Sequence, residues 1–434
     1  MPTTDSQAIL ETLRRFESQN VTYLSDDGRW PIVWQRAKGM QVWDADGREF
    51  LDFTSAFGVA AAGHAPPSVV RAGKRQMETL LHAMGDVHPH GLKARLAKRL
   101  SELTFGRWTN GSGKVVFCNG GSEAVEVALK SACQATGRTQ VLSFDGAYHG
   151  LGYGALVATH RDHFRGQFGD QIGTFGQSLP FPSHASELEG LRTALSHTLE
   201  ASSIGAILVE PIQGRGGIVV PPDGFLSLLR ELCDASGTLL ILDEIYTGFG
   251  RTGTWFACEH EGVVPDLICL GKALTGGFPM AALVGRADLM DCAWPRSQGE
   301  AIHTSTYLGH PVGCAMSLAQ IDLIEQRKLV ERSARVGAQF KRRLEKTFRS
   351  YGSQVSVRGR GLMLGVELRS ISGEPDGARS IGIIESMLEA GYLILPDGDL
   401  GEVLGITPPL IVQPRQIASF VETLLQIYQE SLPR

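Results

Sequence analysis

The sequence predicts an α/β protein, with a large domain whose mostly parallel sheet is flanked by helices and a smaller α+β domain beside it. Three observations carry this. At 434 residues, 43% of them hydrophobic, the chain exceeds one ordinary domain and can bury a large core. Its best strand candidates, Ile204 to Glu210, Thr238 to Leu242 and Leu267 to Leu270, are short continuous apolar runs, the pattern of strands covered on both faces. Beyond Pro311 the order changes to long helices, then strands, then a last helix, which marks a separate α+β unit.

In chain order, residues 6 to 18 predict an amphipathic helix, with Ile9, Leu10, Leu13 and Phe16 on one stripe that would dock it. MQVWDADGREFLDFTS predicts a hairpin turning at Asp46-Gly47. Gly91 to Leu103 reads as a helix with a solvated charged face. Val115 to Cys118 is a strand, Gly120-Gly121-Ser122 a turn, and Glu123 to Ala135 a helix. Such a strand, turn and helix start presents unpaired N–H groups and a positive dipole end, a ready phosphate site, although a serine N-cap without ligand is the plainer alternative. The nearby Gly111 to Lys114 is no P-loop, because Trp108 stands where a glycine is needed and Val115 follows the lysine. A strand from Gln140 to Phe144 leads to Tyr148-His149-Gly150, where the aromatic ring can stack on a flat heterocycle. Helices are expected over roughly 312 to 349. Strands follow around VRGRGLMLGVEL and GYLILP with a helix between them, and a final helix covers about 413 to 430.

Thr238 to Gly277 organises the rest. The Thr238 to Leu242 strand ends in Asp243 and Glu244, and the Leu267 to Leu270 strand ends in Gly271, Lys272 and a glycine-rich turn. If the two strands are neighbours, Asp243 and Lys272 emerge together at the carboxyl edge, where open α/β sheets hold ligands. Lys272 has no acid nearer in sequence than Asp266, so burial would lower its pKa and free the amine to form a Schiff base. The residue types also admit a plainer reading, with Lys272 snorkelling to water and Asp243 capping a turn. GFGRTG, Gly248 to Gly253, fits a dinucleotide fingerprint only formally: an acid pair separates it from the strand, and no helix start follows.

Composition narrows the function classes. A net charge of −5 without blocks of like charge leaves neither a nucleic-acid footprint nor a polybasic membrane patch. The seven cysteines are scattered without a CxxC pair, which suits reduced thiols in a cytoplasmic protein and no zinc site. The opening MPTTDSQAILETLRRFESQN contains acids and lacks an apolar h-region, so no secretory signal is expected, and no uncharged run reaches membrane-span length.

Asp243-Glu244-Ile245, two residues, GFGRTG, then twelve residues before DLICLGKALTGG resembles the signature of the class-III aminotransferases. These are pyridoxal-phosphate (PLP) enzymes of the aspartate-aminotransferase fold, fold type I. EPIQG from Glu210 and STYLGHP from Ser305 match the same family, and the likeness runs from residue 40 or so onward. It implies a seven-stranded-type sheet in a large domain, 62–309, and a small domain made from 1–61 and 310–434. It further implies that Lys272 holds PLP as a Schiff base and then shuttles a proton, and that Asp243 keeps the pyridine nitrogen protonated. Gly121, Ser122 and the partner subunit's Thr306 would hold the phosphate across a homodimer interface. Tyr148 and Ile245 would sandwich the ring, Glu210 would support the site, and Phe57 would stand near the substrate entrance. Tyr246 occupies a place beside the phenolic oxygen where many relatives carry glutamine.

Two departures bear on substrate. Relatives that use α-amino acids usually carry an arginine where this chain has Gly405, and those that switch it on and off place a glutamate where this chain has Arg215. Gly405 simply opening the pocket, with Arg215 at the surface, is the plain reading. The sharper one gives the keto acid's carboxylate to Arg215, whose fork matches it, and lets Gly405 make room for an amine without an α-carboxylate. The expectation is therefore an aminotransferase that moves an amino group from an ω-amino acid or amine to pyruvate or 2-oxoglutarate. An amino-group mutase or racemase, a PLP decarboxylase, and a degenerate binding protein on the same scaffold are the alternatives.

Overall fold

The computed structural model describes residues 5–22, 30–201 and 203–432. Its centre is a seven-stranded sheet in the order Gly113–Cys118, Ala281–Arg286, Leu267–Leu270, Leu239–Asp243, Ile204–Val209, Gln140–Phe144, Gly176–Leu179. Ala281–Arg286 runs antiparallel to both neighbours, and the other ladders are parallel. The continuous apolar runs are explained by burial of both faces. Ile241, Leu267 and Cys269 pack under the helix Gly121–Thr136, while Leu240, Leu242, Ile268 and Leu270 face a second cluster that includes Phe225 and Leu229 of the helix Phe225–Ser236. Each such aliphatic side chain contributes about 1.5–3 kcal/mol of burial, with no solvated face on which a polar residue would be tolerated.

Two four-stranded sheets adjoin this core. In the first, Gln41–Asp44 and Glu49–Asp52 form the expected hairpin, with Gln41 opposite Leu51 and Trp43 opposite Glu49. The second has the order Val355–Arg360, Met363–Leu368, Val403–Ile406, Leu395–Asp397. The expected GYLILP strand is divided between the two. Tyr392–Leu393 pairs parallel with Glu49–Asp52, and Leu395–Asp397 pairs antiparallel with Val403–Ile406. One short segment thus staples both sheets together.

Other differences are local. The helix Asp5–Phe16 forms, but its stripe does not dock on its own chain: Phe16 is 74% exposed, and a bond from the Ser6 N–H to Asp46 (3.2 Å) anchors the helix start. The helix expected at Glu123 begins at Gly121, with Gly120 as an N-cap that supplies no side-chain bond. Ser122 therefore lies inside the first turn and is not the cap. The 312–349 region is two helices, Pro311–Gln326 and Leu329–Phe348, broken where Lys328 turns left-handed. Among the described residues no helix is long and apolar enough to cross a membrane, no acid, histidine or cysteine cluster could hold a metal, and all seven cysteines are free.

Candidate active site

Leu239–Asp243 and Leu267–Leu270 are neighbours, with Asp243 opposite Cys269, so the acid and the lysine three residues beyond that cysteine leave the same sheet edge together. Asp243 is buried at 5% exposure, and its two oxygens are separately occupied. Oδ1 accepts the Ile245 N–H (3.1 Å), and Oδ2 lies 2.8 Å from His149 Nδ1. A carboxylate at Nδ1 fixes the proton on that nitrogen. His149 is itself buried, its Nε2 has no partner among the described residues, and its backbone N–H is held by Thr159 Oγ1. His149 belongs to the Tyr148-His149-Gly150 motif, yet only the fold reveals that it orients Asp243.

Lys272 is half-buried, with Nζ 4.1 Å from the centre of the Tyr246 ring. Desolvation pushes its amine below the ordinary lysine range, against the pull of Asp243, Glu210 and Asp397. The Tyr246 hydroxyl lies 3.1 Å from Thr407 Oγ1, and burial raises its pKa to about 12. Glu210 is buried and accepts from the Tyr148 N–H (2.9 Å) and the Gly214 N–H (2.9 Å); desolvation first, with Asp243 adding to it, raises its pKa.

These groups border a cavity of about 390 Å³ between the carboxyl edge of the large sheet and the sheet containing Val403–Ile406. It gathers Phe57, Tyr148, Arg215, Tyr246, Lys272 and Gly405 in one place, and adds Asp397 and Thr407, which the sequence did not single out. Phe57 reaches it from an unusual turn in which Ser55, Ala56 and Phe57 are all left-handed, with φ of 50°, 48° and 60°. Each non-glycine residue in that region costs roughly 1–2 kcal/mol. Asp52 offsets the cost by bonding the Thr54 and Ala56 N–H groups, and Ser55 Oγ donates to the Thr407 carbonyl (2.6 Å). Buried Arg251 completes the brace through Ser55 Oγ and the Leu362 and Pro408 carbonyls. The GFGRTG segment is thus structural: its arginine ties the loop to the Ser55 turn and to the Leu362 and Pro408 backbone, and the buried Glu244 holds the loop itself by accepting from the Ala257 and Cys258 N–H groups.

Gly121 and Ser122 begin their helix at the side of this assembly and are not in the cavity lining. Ser122 Oγ accepts the Gly152 N–H (3.1 Å), and a Cβ on Gly121 would fall 2.9 Å from Ile245 Cδ1. Ile245 in turn packs close to Gly271, so the glycine turn, the isoleucine and the lysine loop are in register. Thr306 is exposed and lies outside the cavity, although its neighbour Ser305 accepts a bond from Asn119 Nδ2 (2.9 Å).

Known proteins resemble this chain along most of its length. The chain is 38% identical to an acetylornithine aminotransferase of Methanosarcina mazei over 399 residues, 92% of each protein. It is 34% identical to a 5-aminovalerate aminotransferase of Pseudomonas aeruginosa, covering 92% of this chain and 94% of that one. A PLP-bound amine transaminase from an uncultivated Pseudomonas species superposes with a TM-score of 0.86 at 31% identity, covering 96% of this chain and 98% of that one. The aminotransferase class-III family matches residues 23–428. With that span and these relatives, the chain belongs to the class-III aminotransferases, a PLP-dependent family.

Proposed function

We propose that this enzyme takes the amino group of an ω-amino acid or another amine and passes it to an α-keto acid, pyruvate or 2-oxoglutarate. The observation that carries the reading is the pairing of a desolvated Lys272 amine with a buried, histidine-oriented Asp243 at one sheet edge beside a closed-in cavity. Names of relatives support it, since acetylornithine, 5-aminovalerate and, for a relative from Escherichia coli, 4-aminobutyrate are the amines named.

The residues fit PLP. The first turn of Gly121–Thr136 has no side-chain cap, so its leading N–H groups are free to bind a phosphate. When bound, PLP supplies a reactive aldehyde and an electron-withdrawing ring. Lys272 would hold the aldehyde carbon, and depression of its pKa favours the neutral amine that this needs. Asp243, fixed by His149 and by the Ile245 N–H, has lone pairs left to hold a proton on the ring nitrogen. Tyr148 and Ile245 would bracket the ring, while Glu210 holds the Tyr148 backbone and the Gly214 backbone in place. Tyr246 stands beside Lys272 with its phenol neutral, able to donate toward the ring's oxygen. Lys272 Nζ would also be the base that takes the proton off the substrate carbon bearing the amine.

The assembly we assign is a homodimer, in which Gly121 and Ser122 share the phosphate with the partner subunit's Thr306. Exposure of Thr306 outside its own cavity supports this. Seven free cysteines support a cytoplasmic setting. The division into 62–309 and 1–61 with 310–434 remains our domain assignment. Turnover of a primary amine by the PLP-loaded enzyme, with and without a keto acid, tests the function. Repeated turnover to carbonyl product only with keto acid is expected, and no more than one equivalent per active site without it. Turnover without it would favour a mutase or racemase, CO₂ release a decarboxylase, and failure to take up PLP a binding protein.

A further inference from the structure

Asp397 ends the short strand Leu395–Asp397 and turns its carboxylate toward the neighbouring strand Val403–Ile406. A Cβ built on Gly405 would fall 2.2 Å from Asp397 Oδ2, so the missing side chain at Gly405 is the space this carboxylate uses. Asp397 is 7% exposed, lines the cavity with Lys272 and Arg215, and is the one acid in its lining among the described residues. Among the described residues no donor bonds its carboxylate and no cation forms an ion pair with it. The arrangement is rigid. Arg161 Nη2 donates to the carbonyls of both Arg215 and Gly398, and the Gly398 N–H donates to the Arg215 carbonyl (3.1 Å), locking the backbone beside Asp397 against that of Arg215.

An ionisable group in such a place costs stability unless something pairs with it. A hydrophobic residue there would suit the fold better, and Arg215 is near enough to be felt but does not close the pair. The geometry points to Asp397 as a specificity-determining residue that binds a second ammonium group of the amine donor, with Gly405 kept small for it. The inference rests on the transaminase reading and deepens it. The preferred donors are terminal diamines and amines with a further cationic nitrogen, one nitrogen at Lys272 and the other at Asp397. Arg215 stays available for the carboxylate of the keto acid in the second half of the cycle.

The test follows bleaching of the visible absorbance of the PLP-loaded enzyme, without keto acid, by cadaverine (the terminal diamine of pentane) and by pentylamine. The concentration-dependent rate should favour cadaverine by roughly ten- to a hundredfold, as removal of a hydrogen bond to a charged group implies. Asp397→Asn and, independently, Gly405→Ala should each collapse that ratio toward one. The ratio cancels any general loss of activity, and the second variant covers misfolding of the first. Equal rates for the two amines in the wild type, or a ratio that survives both substitutions, overturns the assignment of Asp397 alone. An enzyme bleached by neither amine overturns the transaminase reading, and the assignment falls with it.

Discussion

Replacing Asp397 by asparagine should stabilise the protein at pH 8 and not at pH 4. Burial raises the carboxyl from its ordinary 3.8 to about 6; Arg215, Arg161 and Lys272 pull it back down, and Glu210 pushes it further up. The folded chain therefore binds a proton there that the unfolded chain has released between those two values. Stability contributed by this group is fully present below the unfolded value and is lost as pH rises through the folded value. The difference between 3.8 and about 6 corresponds to roughly 3 kcal/mol of destabilisation once both states are ionised. Asparagine has the same shape and no charge, so it should recover most of that above neutrality and little of it at pH 4. The assay is the thermal midpoint of the PLP-loaded protein and its Asp397→Asn variant at pH 4, 6 and 8, at one scan rate. A gain of several degrees that grows with pH is expected. A variant equally or less stable than the wild type at pH 8 would refute the claim that this carboxylate is held unpaired.

Three further outcomes are expected. Asp243→Asn should lower turnover by on the order of a hundredfold or more while circular dichroism stays native; near-wild-type turnover would sink the role given to Asp243. Gly121→Ala places a Cβ 2.9 Å from Ile245 Cδ1. Overpacking of this kind costs roughly 1–3 kcal/mol, and it should appear as faster loss of PLP on dialysis, whereas unaltered retention would show that the turn and the isoleucine do not cooperate. Arg215→Ala should raise the KM for keto acids roughly tenfold or more, the loss expected when a charge-assisted pair is removed. An unchanged KM with several amines would eliminate Arg215 as the carboxylate partner.

The heart of the site was legible in the sequence because each residue sits where a pattern ends. Asp243 and Lys272 each close an apolar run, and two such runs paired in parallel deliver them to one edge. Tyr148 and Glu210 were legible for the same reason, one after a strand and one at its tip. Asp397 was not. It lies in a three-residue strand with no periodicity, and it reaches the cavity only because Leu395–Asp397 pairs with Val403–Ile406. Its one trace in the sequence is the absent side chain at Gly405, which reads as empty space until the carboxylate filling it is seen. His149 stood in a recognised motif, but its bond to Asp243 spans 94 residues and leaves no local signal. The stripe on Asp5–Phe16 shows the opposite failure: periodicity reports an apolar face truly, and cannot say whether its own chain will cover it.

The most direct measurement is to reduce the PLP-loaded enzyme with borohydride and locate the pyridoxyl group by peptide mass mapping. A single modified residue, Lys272, is the expected result. Modification at another lysine, or a cofactor released unmodified, would contradict the assignment of this amine as the cofactor's anchor.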